Sequence, residues 1–182
     1  CIEMARAFVQ PKYQSAAGGR KALFALDNLW DGIGGLIATD SSVKYLSGKV
    51  TIYKTSPEMS RKAMVYYLDM SFGDREGLIT SKNPETCTPE QIAFFKKLFI
   101  GADYKENYAI LNDYVKSLGD SIPPFIHLYI GLSPTMKTFG TTFDPDFGDC
   151  YDTAMMITAN DIYPDKYKRY VDSYELCKTY KK

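Results

Sequence analysis

The sequence predicts an α/β fold of the α+β kind, and three observations carry that prediction. The order strand, glycine-containing loop, long helix, strand, helix runs through residues 1–72 and describes an α/β unit. Within it, Leu23, Leu26, Trp30, Ile33 and Ile37 recur at intervals of 3, 4, 3 and 4 residues, the period of one helix face. Near the end, two strand-like segments flank Asp144-Pro145-Asp146-Phe147-Gly148, a hairpin turn. With 182 residues the chain is long enough for one domain with a real core. A single domain over 1–182 is expected: a core in 1–72, a mostly helical insertion or lid in 73–135, and closing strands and helix in 136–182.

The elements follow in order. Ile2 to Val9 reads as a buried strand interrupted by Glu3 and Arg6. Gln10 to Gly19 is a loop, broken by Pro11 and ended by paired glycines. The helix runs from about Arg20 to Ala38. Its glycines at 32, 34 and 35 each cost about 1 kcal/mol relative to alanine, so a close backbone approach to a strand or a ligand is expected there. Lys44 to Tyr53 alternates as a strand. Ser56-Pro57-Glu58 starts a helix with serine as its cap, leading through Met64, Tyr67 and Leu68. Residues 73–87 form a loop. Thr88-Pro89-Glu90-Gln91 is a capping box for a helix through Phe99. A further helix, about Lys105 to Leu118, stops at Gly119. Pro123-Pro124 begins an apolar helix to about Leu132. Met136 to Phe143 and Tyr151 to Thr158 are the hairpin strands, and Asp165 onward is a tyrosine- and lysine-rich closing helix.

Composition excludes several function classes. Lys+Arg and Asp+Glu are equal at 22 each, so the chain lacks the cationic excess that nucleic acid binding requires. The best apolar run, Ile122 to Leu132, is too short to span a bilayer. No secretory leader is read, and because the chain opens at Cys1 within a strand, an upstream segment is expected to precede it. The four cysteines, Cys1, Cys87, Cys150 and Cys177, show neither zinc-ligand spacing nor the density of a disulfide scaffold, which points to reduced thiols and a reducing, cytoplasmic compartment. His127 is the only histidine, and it lies on an apolar helix, where a core role is expected. No GxSxG elbow accompanies it. No metal is expected, and Asp144-Pro145-Asp146 is read as a turn rather than a metal pair.

Two segments have the residue types for chemistry. In Gln14, Ser15, Ala16, Ala17, Gly18, Gly19 and Arg20, a glycine-rich turn between strand and helix would aim backbone N–H groups and the helix dipole at one spot. Phosphate is the natural guest, with Arg20 as a charged partner. The same residues also fit a plain strand-to-helix connection, and no Walker or GxGxxG pattern decides between the two. Glu3 and Arg6 lie on an otherwise apolar strand. The carboxylate would steer an amine or take its proton, and the guanidinium would hold a carboxylate or phosphate. Structural ion pairs are the competing reading of both.

The run Glu3-Met4-Ala5-Arg6-Ala7-Phe8-Val9-Gln10-Pro11-Lys12-Tyr13-Gln14 resembles the E-x-[GS]-R-x-x-V-x-P-x-Y-[RQ] stretch of GNAT-superfamily N-acyltransferases, with Ala5 at the Gly/Ser position. It is nearest to the bacterial ornithine-lipid and glycine-lipid synthases, often called hemolysin-like. The acyl-homoserine-lactone synthases share the Glu and Arg. Leu29-Trp30-Asp31-Gly32-Ile33-Gly34 is similar to the L-W-x-G-I motif of that group. Pro123-Pro124, Tyr129, Gly140, Asp144-Pro145, Phe147, Asp161-Ile162 and Arg169-Tyr170 match later segments in the same order. The resemblance thus covers nearly the whole chain.

The resemblance implies a GNAT-like acyl-CoA N-acyltransferase fold. It implies transfer of a fatty acyl group from an acyl carrier protein or coenzyme A thioester to the amine of an amino acid, in lipid metabolism. The phosphopantetheine thioester is then the co-substrate, held through its phosphate by the loop Gln14 to Arg20. A splayed strand N–H would act as oxyanion donor, Glu3 would take the amine's proton, and Arg6 would hold a carboxylate or the carrier's phosphate. Phe94, Phe95, Phe99 and Ile100 would cover an acyl chain or form ordinary core. Acyl carrier protein and an amino-acid acceptor are the implied partners. Peripheral contact with the inner membrane would come through the lysine-rich tail. The alternative is a non-catalytic relative that binds acyl chains or carrier protein without turnover.

Overall fold

A computed structural model describes residues 1–5, 10–11 and 25–174, and for 25–27 the backbone alone. Its elements are strand β1 (Ile2–Met4), helix α1 (Ala25–Thr39), β2 (Tyr45–Tyr53), α2 (Glu58–Phe72), α3 (Pro89–Leu98), α4 (Tyr104–Ser117), α5 (Pro124–Ile130), β3 (Lys137–Asp144) and β4 (Cys150–Thr158). A 3-10 turn (Ala159–Asp161), a short α6 (Pro164–Tyr167) and a π-helical turn (Lys168–Asp172) follow. Among the described residues the strands form one four-stranded sheet in the order β1-β2-β4-β3, with β3 and β4 antiparallel. The architecture is α+β, as the sequence predicts. Two compact units divide the chain: Cys1–Ser47 with Leu132–Pro134 and Ile157–Lys182, and Gly48–Gly131 with Thr135–Met156.

In the first unit α1 lies against the π-helical turn. In this π turn the adjacent Tyr170 and Val171 are both buried. The glycines of α1 explain the fit. A Cβ on Gly34 would stand 2.2 Å from the carbonyl oxygen of Tyr170, and one on Gly35 would meet the Tyr174 ring at 3.1 Å, whereas nothing lies within 4 Å of Gly32. The expected close approach is therefore real, but its partner is the closing helical segment rather than a strand or a ligand. Backbone bonds from Ala159 N to Lys44 O (2.9 Å) and from Tyr163 N to Leu132 O (2.8 Å) tie the unit's remaining pieces together.

The second unit is organised around α2. Ala63, Met64, Tyr67 and Leu68 of this helix are buried, and it packs on β3, α3 and α4. Tyr67 donates to the carbonyl of Tyr104 at 2.8 Å, and Tyr66 stacks on Phe99 with ring centroids 5.9 Å apart. Pairs of this kind add about 0.5–1.5 kcal/mol beyond area burial. Ser56 does not cap α2. Pro57 holds the N-cap position without a side-chain bond, and Ser56 instead closes the turn after β2 by donating its N–H to Tyr53 O. Proline at this point sets the entry angle, so the serine side chain is not required.

The remaining helix ends follow their local signals. Thr88 and Gln91 form the reciprocal capping box of α3, Asp103 accepts from the N–H groups of Lys105 and Glu106 at the start of α4, and Gly119 past its end has a φ of 74°. Residues 73–87 contain no helix or long strand but run beside β3. Asp74 N bonds Thr138 O, Glu85 N bonds Thr141 O, and single bridges join Gly73 with Thr138 and Pro84 with Thr142. The β3–β4 register slips between Thr138 and Thr141, where Gly140 takes a φ of 85° in a bulge.

Candidate functional site

Glu3 lies at the centre of β1, the outer strand of the sheet among the described residues. It is exposed, whereas its neighbours Ile2 and Met4 are half-buried, as the two-residue period of a strand requires. Cys1, two residues earlier and therefore on the same side, donates its thiol to the Ser47 hydroxyl at 3.5 Å. That contact marks the β2 residues which share this side of the sheet. Glu3 thus offers a solvent-facing carboxyl side chain. The other predicted site residues, Arg6 and Gln14, Ser15, Ala16, Ala17, Gly18, Gly19 and Arg20, lie outside the described residues.

The second unit contains a group of charges that the sequence reading did not single out. Arg61 and Lys62 are consecutive on α2 and each only 9% exposed. Both turn to the same oxygen: Arg61 Nε donates to Glu85 Oε1 at 3.3 Å, and Lys62 Nζ lies 2.8 Å from it. Lys62 also donates to the carbonyl of Thr86. The Arg61 guanidinium lies over the Tyr151 ring, its carbon 4.1 Å from the centroid. Beside this group, the Cys87 thiol donates to Lys62 O at 3.7 Å, and burial raises its pKa while the Lys62 charge opposes the rise. A signal existed in the sequence: two adjacent cations directly precede the apolar run Ala63-Met64-Val65 on a predicted helix.

A further charged group lies on β2 and β4 of the same unit. Asp152 is buried, and its carboxylate accepts from Lys49 Nζ at 2.5 Å and Thr51 Oγ1 at 2.7 Å. The bond to Asp152 is the main cause of the raised pKa of Lys49. With both carboxylate oxygens engaged, Asp152 is a structural anchor between the two strands.

The remaining candidates separate by exposure. His127 is exposed on α5, with its ring 5.7 Å from that of Tyr108, so it is not the core residue that its apolar surroundings suggest. Among the aromatic and aliphatic residues considered as acyl cover, Phe95 and Phe99 are core, whereas Phe94 and Ile100 are 44% and 78% exposed. Asp144 and Asp146 form the expected turn, with Asp146 N donating to Asp144 Oδ1 at 3.1 Å. Cys1, Cys87 and Cys150 are free thiols. Among the described residues, no group of three or more His, Cys, Asp or Glu side chains is placed to hold a metal, and no helix is long and apolar enough to cross a membrane.

No protein-family model and no solved structure matches the chain. Two curated proteins do. A glycine N(alpha)-acyltransferase of Phocaeicola vulgatus is 42% identical over 173 residues, which cover 95% of this chain and 53% of that protein. A glycine N(alpha)-acyltransferase of Bacteroides thetaiotaomicron is also 42% identical, over 176 residues covering 95% of this chain and 51% of its own length. The chain spans about half the length of these relatives.

Proposed function

We propose that this chain is the acyl-transferring part of an N-acyltransferase of GNAT type that acylates the amine of glycine or a similar amino acid. The observation that carries the reading is the 42% identity, across 95% of the chain, to two proteins both named glycine N(alpha)-acyltransferase. The donor in this reading is a fatty acyl thioester of acyl carrier protein or coenzyme A, and the setting is lipid metabolism in the cytoplasm, with peripheral contact at the inner membrane.

The chemistry asks little of the protein beyond positioning. The neutral amine attacks the thioester carbonyl, the C–N bond forms as the C–S bond breaks, and the displaced thiolate takes up a proton. An amino acid reaches the site as an ammonium, so a carboxylate, directly or through one water, must accept the proton that frees its lone pair. Glu3 has the exposure for this role. Arg6 would hold a carboxylate or phosphate, and the backbone of Gln14 to Arg20 would hold the phosphopantetheine phosphate. No covalent enzyme intermediate is needed.

The reading is tested by incubating the protein with long-chain acyl-carrier-protein and acyl-coenzyme A thioesters and glycine, counting released thiol and identifying the product by mass. Glycine-dependent thiol release with formation of N-acylglycine is expected. Saturable carrier-protein binding without any thiol release would instead support the non-catalytic alternative and overturn the enzymatic reading.

A further inference from the structure

We infer that Arg61 and Lys62 form an oxyanion-binding site that takes a carboxylate or a phosphate on the outward edge of the Arg61 guanidinium. Two cations, each 9% exposed, share one carboxylate oxygen, that of Glu85. Burying ions is costly unless each is matched, and Arg61, Lys62 and Glu85 taken by themselves sum to one positive charge, with the charge of Asp69 acting on the same neighbourhood.

Hydrogen-bonding capacity leads to the same conclusion. Lys62 spends two of its three donors on Glu85 and the Thr86 carbonyl. Arg61 carries five N–H donors in a planar fork, yet among the described residues its one hydrogen-bond acceptor is Glu85, at Nε. No Arg61 nitrogen is both sealed from solvent and without a partner, so the Nη pair, which has no acceptor among the described residues, keeps some access to solvent. That edge is the one that receives an oxyanion through two parallel bonds.

The fork is also held in place before any ligand arrives. Tyr151 supports its face at 4.1 Å, and Tyr151 is itself backed by Phe143 at 5.1 Å. Glu85 is fixed through its own backbone N–H, which donates to Thr141 O at 2.7 Å. A stacked, ion-paired arginine loses little further freedom on binding.

The identity of the ligand rests on the acyl-transfer reading, which supplies two sources of the same chemistry: the carboxylate of the amino-acid acceptor and the phosphate of the thioester donor. The test is direct binding, followed by NMR shift changes or calorimetry without turnover. The probes are glycine, acetate, inorganic phosphate and phosphopantetheine, with wild type, Arg61→Gln and Arg61→Lys. Wild type should bind one class at millimolar concentration. Arg61→Lys, which keeps the charge and loses the fork, should weaken binding at this site about tenfold or more, and Arg61→Gln should abolish it there, read from the NMR shifts of residues around Arg61 so that phosphate held by Gln14 to Arg20 is not counted. Response to glycine and acetate assigns the acceptor carboxylate, and response to the phosphates assigns the donor.

A folded Arg61→Lys protein that binds both classes like wild type would overturn the inference, as would wild type that binds neither. If Arg61→Gln fails to fold, Arg61→Lys decides alone, since it retains the pairing with Glu85. Because binding is read without catalysis, a protein that releases no thiol would sink the acyl-transfer reading and leave this result legible.

Discussion

Gly34 of α1 lies directly beneath the backbone of Tyr170, so closely that a methyl group on Gly34 would stand 2.2 Å from the Tyr170 carbonyl oxygen. No side chain relieves this contact by moving, because the obstacle is main chain. Gly34→Ala should therefore destabilise the protein by about 1–3 kcal/mol or more. Gly32, two residues earlier and with nothing within 4 Å, is the control: Gly32→Ala should stabilise by about 0.4–1 kcal/mol. Urea unfolding of the two variants gives the comparison, and equal effects would show that α1 and the π turn do not pack this way.

In the proposed reaction, Glu3→Gln should lower turnover by about a hundredfold or more, with little change in melting temperature, because Glu3 is exposed. Steady-state rates measured against a folded control decide the matter. A fall in stability matching the fall in rate would return Glu3 to a structural role.

Ser60 is completely buried on α2 and donates to the Asp120 carboxylate beyond α4 at 2.6 Å. Asp120→Ala leaves that hydroxyl without its acceptor and should cost about 1–3 kcal/mol. The double variant Ser60→Ala, Asp120→Ala should recover part of the loss, since both polar partners are then gone. Denaturant midpoints for Ser60→Ala, Asp120→Ala and the double variant would reveal a simple sum if the two residues were independent.

Burial, aided by the charges of Glu85 and Asp69 and opposed by Lys62, raises the pKa of Cys87. Cys150 is raised as well, chiefly by burial. A folded thiol with a raised pKa keeps its proton longer than the unfolded one. Its stabilising contribution is thus complete below the unfolded thiol pKa and is lost as pH rises through the folded value. Alkylation resolved peptide by peptide should find exposed Cys1 reacting faster than Cys87 and Cys150 at mildly alkaline pH. The half-rate pH of Cys87 should lie above that of the denatured chain, and coincident profiles would contradict the packing around it.

Much of the framework could be read from the chain alone because its causes are local. The Thr88-to-Gln91 capping box, proline at the start of α3 and α5, glycine after α4, the two-residue alternation of β2 and the Asp144-to-Gly148 turn each act within a few residues. An α+β fold follows from their order. Tertiary structure decided the rest, because it depends on which face of each element meets a distant partner. Phe94 and Phe95 are neighbours of like composition, yet one is exposed and the other is core. His127 sits in an apolar segment and still faces out. Ser56 lost its capping role to the proline that follows it. Arg61 meets Glu85 across 24 residues of chain, a pairing that no local window contains and that only the packing of α2 against the segment beside β3 brings about.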